Sequence, residues 1–556
     1  MSPHRKILFG LCLTVFVSSI TILLWYTNNS WLVSIPVKGG EYVEGLVGTP
    51  RFINPLLASS PVDRDLTTLI YSGLLRNTSK GEFIPDLAES YTTSPDGLTY
   101  SFTLKPNLVW HDGEPVIADD VVFTIMKAKE PIIKSPRRAN WEGVEVEKID
   151  NQHVVFKLKQ PYALFLENLT LGLLPAHRWQ KIPPEVFPFS DLNREPIGTG
   201  PYQISTIKRD RDNLPIAYTL IPFHRFALGP PKISKIIIRF YSNETALLNA
   251  YHQNEIEAVN AIDPAVAKTL KQTGSQVLTT TLPRVFGIFF NQNQAKLFTR
   301  PEVRTALDAS VDRKAIIAEV FHDYGQILNG PRPLSPTETI KNSATSSPNE
   351  ILEETGWKKN IDTGKWELPP KKKGEPPLVF QFTLTTSDAP ELKRVAELVK
   401  RDWEAFGAVV NLKIFEWGAL NQTVIRPRDY EALLFGEIVG RNPDLYSFWH
   451  STQRLDPGLN IALYTNITVD KILDEIKVAS TTDRRALEYQ AFDTEIEKDK
   501  PAVFLYAPDF LYIIPSRVQA VNLGIINTPA ERFLGIYNWY IKTEQVWPIF
   551  IHKPLN

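Results

Sequence analysis

From Ile7 to Tyr26 the chain reads ILFGLCLTVFVSSITILLWY, apolar or small and free of charge throughout. A helix of that length covers the hydrocarbon core of a bilayer, so the stretch predicts a membrane-spanning helix. His4, Arg5 and Lys6 precede it, and Trp25, Tyr26 and Trp31 lie at its far end. A basic cytoplasmic flank and an interfacial aromatic belt place the rest of the chain outside the cytoplasm. A cleaved signal peptide is the alternative, although its apolar core is normally shorter and no A-x-A-like site follows. Lipid attachment at Cys12 fits less well, because Cys12 sits early in the run and follows Leu11 rather than a small residue.

Beyond residue 40 the pattern alternates between periods of two and 3.6. GLTYSFTLK puts Leu98, Tyr100, Phe102 and Leu104 on one face, which predicts a half-buried strand. In VIADDVVFTIMKA, Val122, Ile125 and Met126 form an apolar stripe, with Asp119 and Asp120 in the first turn where negative charge suits the helix dipole. Residues 389 to 407 space Leu392, Val395, Ala396, Val399, Trp403 and Phe406 at helical intervals and end on Gly407, a C-terminal cap. AVVNLKIFEW then returns to strand, so a sheet flanked by helices is expected. The stretch 329 to 377, rich in Pro, Ser, Thr and Lys, reads as surface loop around one short helix, NEILEETGW, closed by Gly356.

Composition narrows the function. A length of 556 residues predicts two or more domains. With 61 basic against 62 acidic residues, the chain lacks the charge of a nucleic-acid binder. Cys12 is the single cysteine, which excludes an intrachain disulfide and a Cys-rich zinc site. The nine histidines are scattered, with neither H-E-x-x-H nor G-x-S-x-G. In PIGTGPYQI, Gly198 and Gly200 are spaced as in a dinucleotide loop, but the third glycine is missing and Pro201 follows, so a tight turn is expected. WHDGEP raises a choice between His111 as a base oriented by Asp112 and a plain turn. Adjacent side chains rarely converge on one point, and Asp-Gly-x-Pro is turn chemistry.

Taken in order, several segments carry a resemblance. They are INPLLASSPVDRDLTTLIYSGLL, PDLAES followed by DGLTYSFTL and WHDGEP, EPIGTGPY, FFNQNQAKLFTRPEVRTALDASVDRKAII, FEWGAL and NPDLYSFWHS. Together they resemble the family 5 extracellular solute-binding proteins, the dipeptide- and oligopeptide-binding receptors of bacterial ABC importers. The resemblance implies an α/β, two-lobed periplasmic-binding-protein-like fold (type II) with an extra third domain, preceded by the transmembrane helix. The basic flank, anchor (7–26) and linker would occupy 1–36. Lobe I would take 40–75, 187–290 and 511–556, the extra domain 76–186 and lobe II 291–510. Where the family usually has a helix-capping Thr this chain has Ile117, and Asp119 or Asp120 would take over.

In the peptide-binding relatives the ligand backbone lies against strand segments of both lobes, which close around it by hinge motion. Those segments fall here on Ala58, Ser59 and Ser60 and on Phe435, Gly436 and Glu437. Trp417 matches a tryptophan that lines side-chain pockets, with an ordinary core residue as the alternative. The relatives also pair the ligand's α-amino group with an aspartate three residues before an acidic-Pro step. Here that step is Asn442-Pro443 and the position is Val439. Glu437 would be the substitute, or else a solvated strand residue. The implied function is a monomeric, membrane-anchored receptor that hands oligopeptides to an ABC permease, with no reaction, cofactor, metal or nucleic acid. Alternatives are the same role for a glycan, an opine-like compound or a chelated metal, and a surface-anchored protein-interaction or chaperone module.

Overall fold

The computed structural model describes residues 3–162, 164–333, 347–372, 374–479 and 482–550. A helix from Pro3 to Trp31 opens the chain, and its Phe9–Asn28 section is long and apolar enough to cross a membrane, with none of it buried against the protein. One residue later Val33–Val37 forms a strand that pairs antiparallel with Lys542–Val546, near the other end of the chain.

A twelve-stranded mixed sheet runs through the rest. Its second half contains Val409–Phe415, Gln381–Ser387, Ala432–Ile438 and Arg284–Phe290, in that order; its first half contains Ala258–Asn260, Glu41–Val47, Lys235–Tyr241, Pro215–Pro222 and Tyr202–Arg209. The long strand Ala502–Ile513 joins the halves. Its early residues pair with Arg284–Phe290 and its late residues with Val277–Thr281 and Ala258–Asn260. Apolar clusters cover both faces of the second half, one built on Ile288, Leu384, Leu434 and Val399, the other on Val285, Phe289, Leu433 and Trp449. A sheet buried on both faces needs apolar residues at successive positions, as at Ala432, Leu433 and Leu434.

A separate antiparallel sheet orders Ala88–Thr93, Thr99–Leu104, His153–Leu158 and Val144–Lys148. Tyr100, Phe102 and Leu104 are buried as their period of two predicts. Its core is continuous with that of the first half, since Phe102, Trp110 and Phe156 belong to one cluster with Tyr42 and Ile236. The helix Ala118–Lys129 packs beside it, burying Val121, Ile125 and Ala128, whereas Met126 is 54 % exposed. The expected stripe is thus rotated by about one residue. Ile117 makes no side-chain cap bond, but Asp120 supplies the reciprocal half of a capping box: its Oδ2 accepts from the Ile117 N–H at 3.0 Å, and its Oδ1 accepts from the Ala176 N–H at 2.8 Å. Asp119 instead pairs with Lys148.

His111 and Asp112 go separate ways. His111 Nδ1 accepts from the Gly198 N–H at 3.3 Å, and its Nε2 donates to the Gly200 carbonyl at 3.1 Å. Burial pushes its pKa down to about 4, so the ring is neutral and holds one tautomer. Asp112 turns to His177, 2.9 Å away. The turn itself closes through Gly113 N–H to Trp110 O and Trp110 N–H to Glu114 O. WHDG and GTG therefore lock to each other, as architecture.

The helix Pro390–Phe406 ends on Gly407 at φ 118°, the left-handed cap expected of it. Pro348–Glu354 forms the short helix anticipated before Gly356, while residues 334–346 of the surrounding loop lie outside the described residues.

Candidate functional site

The strand Ala432–Ile438 has one covered edge and one partly open edge. Arg284–Phe290 pairs with it along its whole length, from Phe290 opposite Ala432 to Arg284 opposite Ile438. Gln381–Ser387 pairs with its other edge only at Leu384–Ala432 and Thr385–Leu433. From Phe435 onward that edge has no strand partner among the described residues. Unpaired main-chain donors and acceptors are a template for an added extended segment.

Ile438 and Val439, at the end of this strand, line a cavity of about 550 Å³. The facing walls come from three other stretches: Arg64 and Tyr71, Arg137 and Trp141, and Asn527 and Glu531. Residues from both halves of the sheet thus enclose one space, the concave, inter-lobe setting in which ligand sites recur. Arg441 bridges the halves beside it. Its N–H donates to Asn527 Oδ1 at 2.5 Å, its Nη2 donates to the Ile525 carbonyl at 2.9 Å, and it pairs with Glu531. Burial raises the Glu531 pKa against the pull of Arg441. Asn527 in turn donates to Glu167 at 2.7 Å. Nothing in the sequence signals this bridge, because Arg441 and Asn527 are 86 residues apart and sit in irregular segments.

The model of the bacterial extracellular solute-binding proteins, family 5 Middle, matches residues 82–456. The chain belongs to this family. This family 5 protein is 26 % identical over 522 residues to oligopeptide-binding protein AppA of Bacillus subtilis, covering 91 % of this chain and 92 % of the relative. The structure of Bacillus subtilis AppA in complex with a nonapeptide matches it with a TM-score of 0.65 at 26 % identity, over 91 % of this chain and 100 % of that one. The ABC transporter substrate binding protein CtaP from Listeria monocytogenes gives a TM-score of 0.74 at 25 % identity, over 91 % and 99 %. The two-lobed binding-protein fold expected from the motifs is the fold of this chain.

The residues singled out in this family 5 sequence are not all in one place. Ala58, Val439 and Asn442 line the cavity. Ser59 is exposed, and Ser60 caps the helix Pro61–Ile70, its Oγ accepting from the Asp63 N–H at 3.1 Å. Trp417 lies 54 % exposed with its ring stacked on Phe435, 5.6 Å between centroids and 5° between planes. An ordinary core residue it is not, and neither ring is part of the cavity wall. Gly436 meets the Phe286 ring so closely that a Cβ would overlap it, and that ring stacks on Tyr506.

Glu437 corrects the reading of a solvated strand residue. It is 4 % exposed, on the strand face shared with Leu433 and opposite Val285, both inside a buried apolar cluster. Neither carboxyl oxygen has a hydrogen-bond partner. Val439, about 7 Å further along the strand, reaches the cavity, whereas Glu437 lies outside its wall. Burial pushes the Glu437 pKa well above the usual carboxylate range, because no nearby partner offsets the desolvation of its charged form. Because the folded state then binds the proton more tightly than the unfolded chain, this group's contribution falls as pH rises above about 4.3. Glu437→Gln is expected to stabilise the protein by about 1–3 kcal/mol at pH 7.5. Near pH 4 the gain should vanish. Thermal unfolding at the two pH values checks this, and a pH-independent difference would contradict it.

Proposed function

We propose that this family 5 protein is the receptor of an ABC importer, capturing oligopeptides between its lobes outside the cytoplasm and delivering them to permease subunits. The observation that carries the reading is the open edge of Ala432–Ile438 leading into the cavity. An extended peptide can add to that edge through main-chain hydrogen bonds, which secure it without selecting its sequence. The name of AppA, and its structure with a nonapeptide, support the same ligand class. The uncharged Phe9–Asn28 helix supports a single-pass anchor. The reading keeps the domain division set out above, except that the strand Arg284–Phe290 goes with lobe II, whose strand Ala432–Ile438 it pairs with, and takes the chain as a monomer. Binding and release, without a reaction, complete the role.

Titration of the full chain in detergent with tri- to nonapeptides, followed by tryptophan fluorescence, tests it. Saturable binding is expected. Peptides N-methylated at alternate amides should bind about tenfold more weakly for each lost main-chain bond. Binding of a glycan, an opine-like compound or a metal chelate with no response to any peptide would sink the peptide reading.

A further inference from the structure

The two ends of the chain meet beside the apolar N-terminal helix. That helix closes at Trp31, and after Leu32 the strand Val33–Val37 pairs antiparallel with Lys542–Val546, placing Val33 opposite Val546. The first strand leads away from the helix, so its partner runs back toward it and brings Trp547 level with Leu32. A 3₁₀ turn, Pro548–Phe550, follows directly. Residues 546–551, VWPIFI, carry no charge.

Large apolar side chains stand in the open at this junction. Trp31 is 62 % exposed, Val33 42 %, Trp547 39 % and Ile549 79 %. Among the described residues, none of the four belongs to an apolar cluster of the body. The ribbon that carries them is a sheet of its own, and two strands alone are marginally stable in water. Its far end is fixed to the body, where the Gly39 N–H donates to the Lys232 carbonyl at 2.8 Å and Gln519 bridges to Tyr540.

Depth decides what covers the near end. The 20 residues of Phe9–Asn28 match the thickness of the hydrocarbon core, and Trp31 lies three residues further, about 4.5 Å along the helix axis. The headgroup zone on each side of that core is about 5–7 Å thick. Trp31 therefore falls inside the zone and Leu32 and Trp547 at its outer edge, with the strand before Trp547 directed toward the core. Tryptophan favours this zone, because the indole joins a large apolar ring to a single N–H donor.

We propose that Trp547 and Ile549 dock in the headgroup–acyl boundary of the non-cytoplasmic leaflet beside Trp31, so that both ends of the chain hold the body to one bilayer. The inference rests on the single-pass anchor reading and goes beyond it. The anchor continues into a two-stranded strut of five residue pairs, about 17 Å long, in place of a free tether, and the strut limits how the body can turn on the membrane.

The test uses the full chain in phosphatidylcholine nanodiscs, with Cys12→Ser and one nitroxide-labelled cysteine at a time. A label at Phe16→Cys marks the hydrocarbon core, and one at Ile361→Cys, where the native side chain is 98 % exposed on the body, marks water. The Ile549→Cys label should favour collision with oxygen over a water-soluble nickel chelate several-fold more than the Ile361→Cys label does. Trp547→Ser should lower that preference, and an unchanged value would overturn the part given to Trp547. With the Phe16→Cys label in lipid, an Ile549→Cys label as wet as that at Ile361→Cys would overturn the docking and leave the anchor standing. A Phe16→Cys label in water would overturn both.

Discussion

Arg532→Leu is expected to cost about 3–5 kcal/mol of stability, because it strands two buried carboxylates. The Arg532 side chain is fully buried and sits between Glu44 and Asp65, each 2.6 Å from its Nη2. Its Nε also reaches Glu44 at 3.1 Å and its Nη1 reaches Asp65 at 3.0 Å. Tyr42 and Tyr512 donate to Glu44 at 2.6 and 2.9 Å, and Asn260 donates to it at 2.9 Å. The guanidinium lies 3.9 Å from the centroid of the Phe533 ring. One side chain thus ties the segment after Pro529 to three strands and the helix Pro61–Ile70. Burial already raises the Asp65 pKa against the pull of Arg532, so loss of that cation leaves only the weaker pull of Arg64 against desolvation. Thermal unfolding of a chain this long should show Tm lower by about 3–4 °C. A change within about 1 °C would mean that the network relaxes without its cation.

Gly198→Ala should be the next most damaging change, at about 2–3 kcal/mol. A Cβ there would overlap the Ile70 carbonyl oxygen, a backbone atom that cannot swing aside. Gly200 has the same neighbour: a Cβ would stand 2.5 Å from the Ile70 carbonyl carbon, and the Gly200 N–H donates to Ile70 O at 2.8 Å. Displacement at this point also pulls Gly198 away from His111. Gly113, in the partner motif, supplies the contrast. It has φ 92° but open space around its Cβ position, so Gly113→Ala should cost only about 1 kcal/mol. Urea unfolding of both variants checks the ranking, and equal losses would contradict it.

Local pattern makes the elements legible. The strand at Thr99–Leu104, the helix ending on Gly407 and the apolar N-terminal helix each follow from spacing within a few residues. The WHDG and GTG turns are legible as turns, but their mutual lock is not, since His111 and Gly200 are 89 residues apart. Contacts of that range leave no periodic trace. Glu44 and Arg532, 488 residues apart, are the extreme case. The site suffers most from this. Glu437 looks available in the sequence because strand alternation says which face a residue takes, not what covers that face, and Val285 arrives from a distant strand. Arg64 and Arg137 carry no shared motif, and only folding brings them to one cavity.

Capture of an oligopeptide between the lobes is the central claim, and native mass spectrometry of the full chain released from detergent tests it most directly. The expected result is a bound species that dissociates on activation into peptides of mixed sequence with free C-termini. A single glycan, opine-like compound or metal chelate as the released species would contradict it.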